Sequence, residues 1–95
     1  MVLKDNVTTI TDALSKVLNL RGVEFDYKES GQHNIGLVAE EVEKVLPELV
    51  EEHPDSKLKS VAYQNMVGLL IEAVKEQQLQ IIELKDRLNV LEAKE

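Results

Sequence analysis

Glu51-Glu52-His53 is where potential metal ligands stand side by side in this 95-residue chain. A cation held by imidazole and carboxylates needs ligands spaced so that three or four side chains converge on one point. Consecutive residues do not converge in that way, and the second histidine, His33, lies in a separate polar stretch. Both histidines therefore read as members of solvated loops. The chain has no cysteine, so thiolate metal sites and disulfides are excluded, and the redox compartment is not legible. Asp55-Ser56 poses a different chemistry. A serine after an aspartate at a helix start can carry a phosphopantetheine arm, but Lys57 follows where an apolar Leu or Met is usual, and no strong helix begins there. Ser56 reads as a surface serine. No Ser/His/Asp or Cys/His set assembles. Gly22, Gly31, Gly36 and Gly68 are scattered, so there is no phosphate-cradling loop.

The elements that would position any site are dominated by one. From Asn65 to Glu95 there is almost no helix breaker, and apolar residues recur every seven positions. Val67, Val74, Ile81 and Leu88 fall on a; Leu70, Leu84 and Leu91 fall on d, with Gln77 the polar member. This is the pattern of a helix that buries its stripe against copies of itself. At 1.5 Å per residue it would be about 45 Å long. Roughly 60 residues remain, too few to cover it and marginal as a core by themselves. An oligomer is expected, with Val67, Leu70, Val74, Gln77, Ile81, Leu84, Leu88 and Leu91 as the association residues. Val and Ile at a with Leu at d favour two strands, whereas a buried Gln77 layer weakens that rule and sets register. Arg87 at g can reach Glu92 at e of a neighbouring chain. Leu69, Ile71, Leu79, Ile82 and Val90 lie off the seam, and the first two are expected to pack on the head.

Ahead of that helix, β-branched Val7 to Ile10 suggest an extended start. Thr11 or Asp12 can cap a helix through Ala13, Leu14, Val17, Leu18 and Leu20, stopped by Gly22. Val23 to Lys28 alternates as a half-buried strand, followed by a turn that His33-Asn34 extends. Ile35 to Ala39 is a short apolar run. Ala39, Val42, Val45 and Leu46 share a helical face, ended by Pro47. Leu49-Val50 begins another extended piece, residues 51–59 form a loop or hairpin, and Ser60 to Tyr63 reads as a short strand.

Net charge is −7, with both signs interspersed. That argues against nucleic acid or an anionic membrane as partner, since each needs a basic face. No apolar run approaches membrane-spanning length, and no signal peptide is visible.

The run Ile35-Gly36-Leu37-Val38-Ala39-Glu40-Glu41-Val42-Glu43-Lys44-Val45-Leu46-Pro47-Glu48-Leu49-Val50 resembles a known family, the C-terminal intramolecular chaperone (S74 peptidase) domain of phage endosialidases, tailspikes and tail fibres. Leu3 to Asn6 with Asp12 to Leu14, Leu20 to Tyr27, and Tyr63 with Leu69 to Glu76 resemble its other segments in the same order. The resemblance implies a trimer that nucleates assembly of a preceding β-rich shaft and then cuts itself off. The family's cut uses a Ser-Asp-x-Arg-x-Lys pattern, the lysine acting as base for the serine. On this sequence Lys4 falls on that lysine and Val2 on the arginine; the serine and aspartate would precede Met1 and are not in the chain. As given, the chain is expected not to cut by that route. Glu40, Ala62 and Gly68 also depart from the family's commoner residues.

The expected fold class is α+β: a small mixed head of short strands and two helices over 1–64, then a long C-terminal coiled-coil helix over 65–95, trimeric by the resemblance. The expected function is that of an intramolecular chaperone for a phage tail fibre or tailspike, normally released by self-cleavage at its N-terminal edge. The alternative is a coiled-coil connector or fibre-tip module kept in the mature particle. Partners expected are copies of itself and its own shaft, with no cofactor, metal, nucleic acid or membrane. The expected location is the host cytoplasm during assembly, or the virion tail fibre if the domain is not released.

Overall fold

The computed structural model describes residues 3–94. It is an α+β head followed by one long helix: α1 (Ala13–Leu18), β1 (Val23–Asp26), β2 (His33–Gly36), α2 (Ala39–Val45), a 3-10 turn (Pro47–Leu49), β3 (Val50–Glu52), β4 (Lys59–Val61) and α3 (Tyr63–Ala93). The strands form two separate antiparallel hairpins, β1 with β2 and β3 with β4.

The core is small. Ala13 of α1, Val42 of α2, Leu46, Leu49 of the 3-10 turn, and Met66, Leu69 and Ala73 of α3 are its buried members. Among the described residues, Val42 is the one large side chain that is fully enclosed. Leu14, Val17, Leu20, Leu37, Val45, Val50 and Val61 pack around them. The first turns of α3 thus complete the head rather than merely follow it. The helix begins at Tyr63, two residues before the expected boundary.

In β1, Val23 and Phe25 turn inward while Glu24 and Asp26 face solvent, as the alternation predicts. Its partner differs from expectation. His33 and Asn34 are strand residues opposite Asp26 and Phe25, not an extension of the turn. The turn closes earlier, with Gly31 N–H donating to Tyr27 C=O at 2.8 Å and Gly31 at φ 71°. A non-glycine residue at that φ would be strained. β2 is nearly all exposed, so its polar residues carry no burial signal to mark a strand.

The helix ends also differ from expectation. Asp12 adopts a left-handed conformation (φ 56°), and no side chain of α1's own N-terminal residues caps it. Asn19, not Gly22, is the C-cap, so α1 is shorter than its apolar spacing suggested. Residues 3–10 form no strand. α2 ends as expected. Leu46 precedes Pro47 and is driven out of the helical region, to φ −142° and ψ 79°, because the proline ring clashes with a helical neighbour before it. β4 stops at Val61, one residue before α3's N-cap, Ala62.

Candidate functional site

α3 presents different flanks to different surroundings. In the heptad lettering, Met66 and Ala73 are g positions and Leu69 is c; these three are buried against the head. Leu69 therefore packs where expected. Ile71, at e, points to the other flank and is 53% exposed, so the expectation that it packs on the head is overturned. The two residues are two apart, about 200° around a helix, and one small head cannot cover both.

Glu76, the next c position, performs what the local sequence of α1 does not. Its Oε2 accepts from Ala13 N–H at 2.8 Å and its Oε1 from Leu14 N–H at 3.2 Å. These are donors that a helix start leaves unpaired. A carboxylate there also complements the helix dipole. The long helix thus caps α1 across 63 residues of sequence. No spacing rule connects positions that far apart, so the sequence offered no signal for it.

Three further contacts hold the head. The Tyr63 hydroxyl accepts from Leu37 N–H at 3.1 Å. A Cβ on Gly36 would lie 2.7 Å from that hydroxyl, so glycine is what lets the helix start approach β2. Arg21 makes a two-pronged contact with Glu41, at 3.1 and 2.6 Å. The pair raises the Arg21 pKa and lowers that of Glu41, chiefly through the hydrogen bonds. Lys59 Nζ reaches Glu43 at 2.7 Å and joins β4 to α2; that hydrogen bond is the main cause of its raised pKa.

The seam itself is uncovered. Val67, Leu70, Val74, Ile81, Leu84, Leu88 and Leu91 are all exposed, from 42% at Ile81 to 63% at Val74. Gln77 is exposed among them. From Gln77 to Lys94 every described residue is exposed. An exposed apolar stripe of this length is a candidate interaction surface. Arg87 bridges Glu83 of its own chain at 2.8 Å.

Lys4 lies exposed on the irregular segment before α1, and Val2 lies outside the described residues. Ser56 sits in the β3–β4 turn, where its hydroxyl accepts from Leu58 N–H at 3.3 Å, and not at a helix start. His53 Nε2 is 3.1 Å from Ser60 Oγ. His33 is on β2, its Nδ1 2.8 Å from Asp26 and its Nε2 3.2 Å from Glu24. Those two carboxylates, Asp26 first, raise its pKa above the usual 6.5. The structure brings together the seam residues on one face of α3, while Lys4 lies on the irregular start, His33 on β2, and His53 and Ser56 in the β3–β4 turn.

The sequence pattern of a family described as the chaperone of endosialidase matches residues 2–51. The chain is 38% identical over 94 residues to the long tail fiber protein Gp37 of Enterobacteria phage K3, and likewise to that of Enterobacteria phage T2. With the Gp37 of Escherichia phage AR1 identity is 35% over 72 residues. The first two alignments take in 90% of this chain but 8% and 7% of those proteins, so the chain spans less than a tenth of the length of the relatives it matches.

Proposed function

Because this chain belongs to the chaperone-of-endosialidase family, we propose that it trimerises and assists assembly of a phage tail fibre. The observation that carries this reading is the uncovered heptad seam, left open while the head occupies the adjoining g and c flank of the same helix. Burying the exposed part of each apolar seam residue against another copy contributes about 1 kcal/mol per side chain. Long-range β structure in a shaft forms slowly because distant segments must meet before any contact stabilises them. A helix that associates early raises the local concentration of the shaft chains and aligns their register. The β-rich shaft preceding residues 1–64 is the partner, and residues 65–95 supply the association. The family supports three copies; the a and d residues alone would equally suit two.

Release belongs to the same proposal. Lys4 occupies the base position of the family's Ser-Lys pattern, and the parent fibre would supply the serine ahead of Met1. In a longer parent, Lys4→Ala should block the cut while leaving assembly intact, which denaturing electrophoresis reads directly. Val2 in place of the pattern's arginine favours the second reading, a fibre-tip module retained in the particle. If the wild-type parent stayed uncut, that reading would take over.

Light scattering tests the association. The whole chain should show three times 10.7 kDa. The double substitution Ile81→Lys and Leu84→Lys should reduce it to one chain, because both residues lie beyond the part of α3 that completes the head. A wild-type monomer at micromolar concentration would refute the assembly role. A mass of two chains would keep the seam and replace the symmetry.

A further inference from the structure

An apolar cleft of about 740 Å³ opens beside the start of the seam, between α1, the β1–β2 hairpin and the first turns of α3. Val17, Leu20, Ile35, Leu37, Met66 and Leu70 line it. Ile35 is 70% exposed, with nothing of its own chain to cover it. Leu70 is at once a wall of this cleft and a d residue of the seam, so a helix that packs on the seam at this level must also pass the mouth of the cleft. The cleft lies on the flank where the head is docked, the g side marked by buried Met66 and Ala73.

The opposite flank carries one residue out of pattern. The e positions are Ile71, Gln78, Lys85 and Glu92. Three are polar, as positions at a coiled-coil margin usually are. Ile71 is apolar, exposed, and stands one residue from Leu70, at the level of the cleft. In a parallel coiled coil the e flank of each helix faces the g flank of its neighbour. Here the g flank at that level has been replaced by the head and its cleft.

From this juxtaposition we infer that Ile71 of one copy inserts into the cleft of the next, between its α1, its hairpin and its α3. The inference rests on the parallel assembly proposed above and deepens it. The head is then part of the interface, and its cleft is completed only by a second copy. Each head would be clamped to the neighbouring helix, which makes head folding and chain association mutually reinforcing.

Cross-linking tests it, because the native chain has no cysteine to confuse the result. Ile71→Cys and Ile35→Cys are introduced on separate, differently tagged chains, which are co-expressed and mildly oxidised. A disulfide between the two tagged chains is expected. It should be absent when either variant is made alone, and absent when Ile82→Cys, on the b position, replaces Ile71→Cys. A preserved trimer mass without the mixed disulfide would overturn the insertion and leave the assembly reading standing. A monomer mass for wild type and variants alike would overturn both.

Discussion

The first and second halves of α3 keep one heptad beat and live in different surroundings. From Tyr63 to Glu76 the g and c positions are Met66, Leu69, Ala73 and Glu76, and they close the core of the head or cap its first helix. From Gln77 onward the same positions hold Gln80, Glu83, Arg87 and Val90, all exposed. The a and d positions stay apolar and exposed along the way, apart from the polar Gln77. A single helix thus closes its own head on one flank and leaves an apolar stripe open on another, and the residues at g and c decide where the first duty stops. Cutting the helix off at Asn65 would remove Met66, Leu69 and Ala73 from the head's core, so only the part beyond Gln77 can be removed without loss of core.

The sharpest way to break this comparison is to truncate an apolar residue in each half. Leu69→Ala should destabilise the head by about 2–5 kcal/mol, a large share of what so small a core supplies. Leu84→Ala should leave the unfolding of the unassociated head unchanged and raise only the concentration at which chains associate. Thermal melts below the association range, paired with light scattering above it, separate the two. If Leu84→Ala lowered the head's Tm as much, the halves would not be distinct.

A second pair compares c positions. Glu76→Ala removes the cap of α1 and should cost about 0.5–2 kcal/mol, the usual range for a lost helix cap. Glu83→Ala, two turns on, loses only an exposed contact with Arg87 and should be within about 0.5 kcal/mol of neutral. Equal effects would mean the Glu76 contacts are not maintained in solution.

Gly68→Ala sharpens the comparison from the stabilising side. A Cβ there meets only the Ile10 side chain, at 3.8 Å, an ordinary contact. The substitution should add about 0.5–1 kcal/mol through helix propensity alone. Denaturant titration of the head would register it as a higher midpoint with an unchanged slope.

The smallest effect is one of pH, and it too belongs to the head. Both histidines of the chain lie there and none lies on α3. The His33 pKa is raised in the folded state by Asp26 and Glu24. Its contribution is fully present below the unfolded value near 6.5 and is lost as pH rises through the folded value. The head's Tm should therefore fall slightly as pH rises through neutrality, and His33→Gln should remove that slope. Association through the second half of α3 should show no matching change between pH 6 and 8.

Much of the architecture was legible because burial writes its own period. Val23 and Phe25 alternate, Val42, Val45 and Leu46 recur at helical spacing, and Pro47 stops its helix where the ring demands. The misreadings fall where burial is absent or where partners are remote. The first half of β2 reads as turn because His33 and Asn34 are polar and face solvent. The cap of α1 was sought next door, at Thr11 or Asp12, and is supplied by Glu76. Gly22 was given a stopping role on residue type alone, and Asn19 performs it.

What the sequence by itself determined is the stripe: a seven-residue period in an unbroken helix, too long for its head to cover. What only the tertiary structure decided is which flank the head takes. Leu69 and Ile71 are both apolar and both off the seam, and neither residue type nor distance from the seam ranks them. The head docks on the side of Leu69 because Met66 and Ala73 stand on that same flank and join the core with it, and Glu76 caps α1 there. Ile71 has no such company. Periodicity defines the faces of a helix; the element that packs first against one of them settles what remains open on the others.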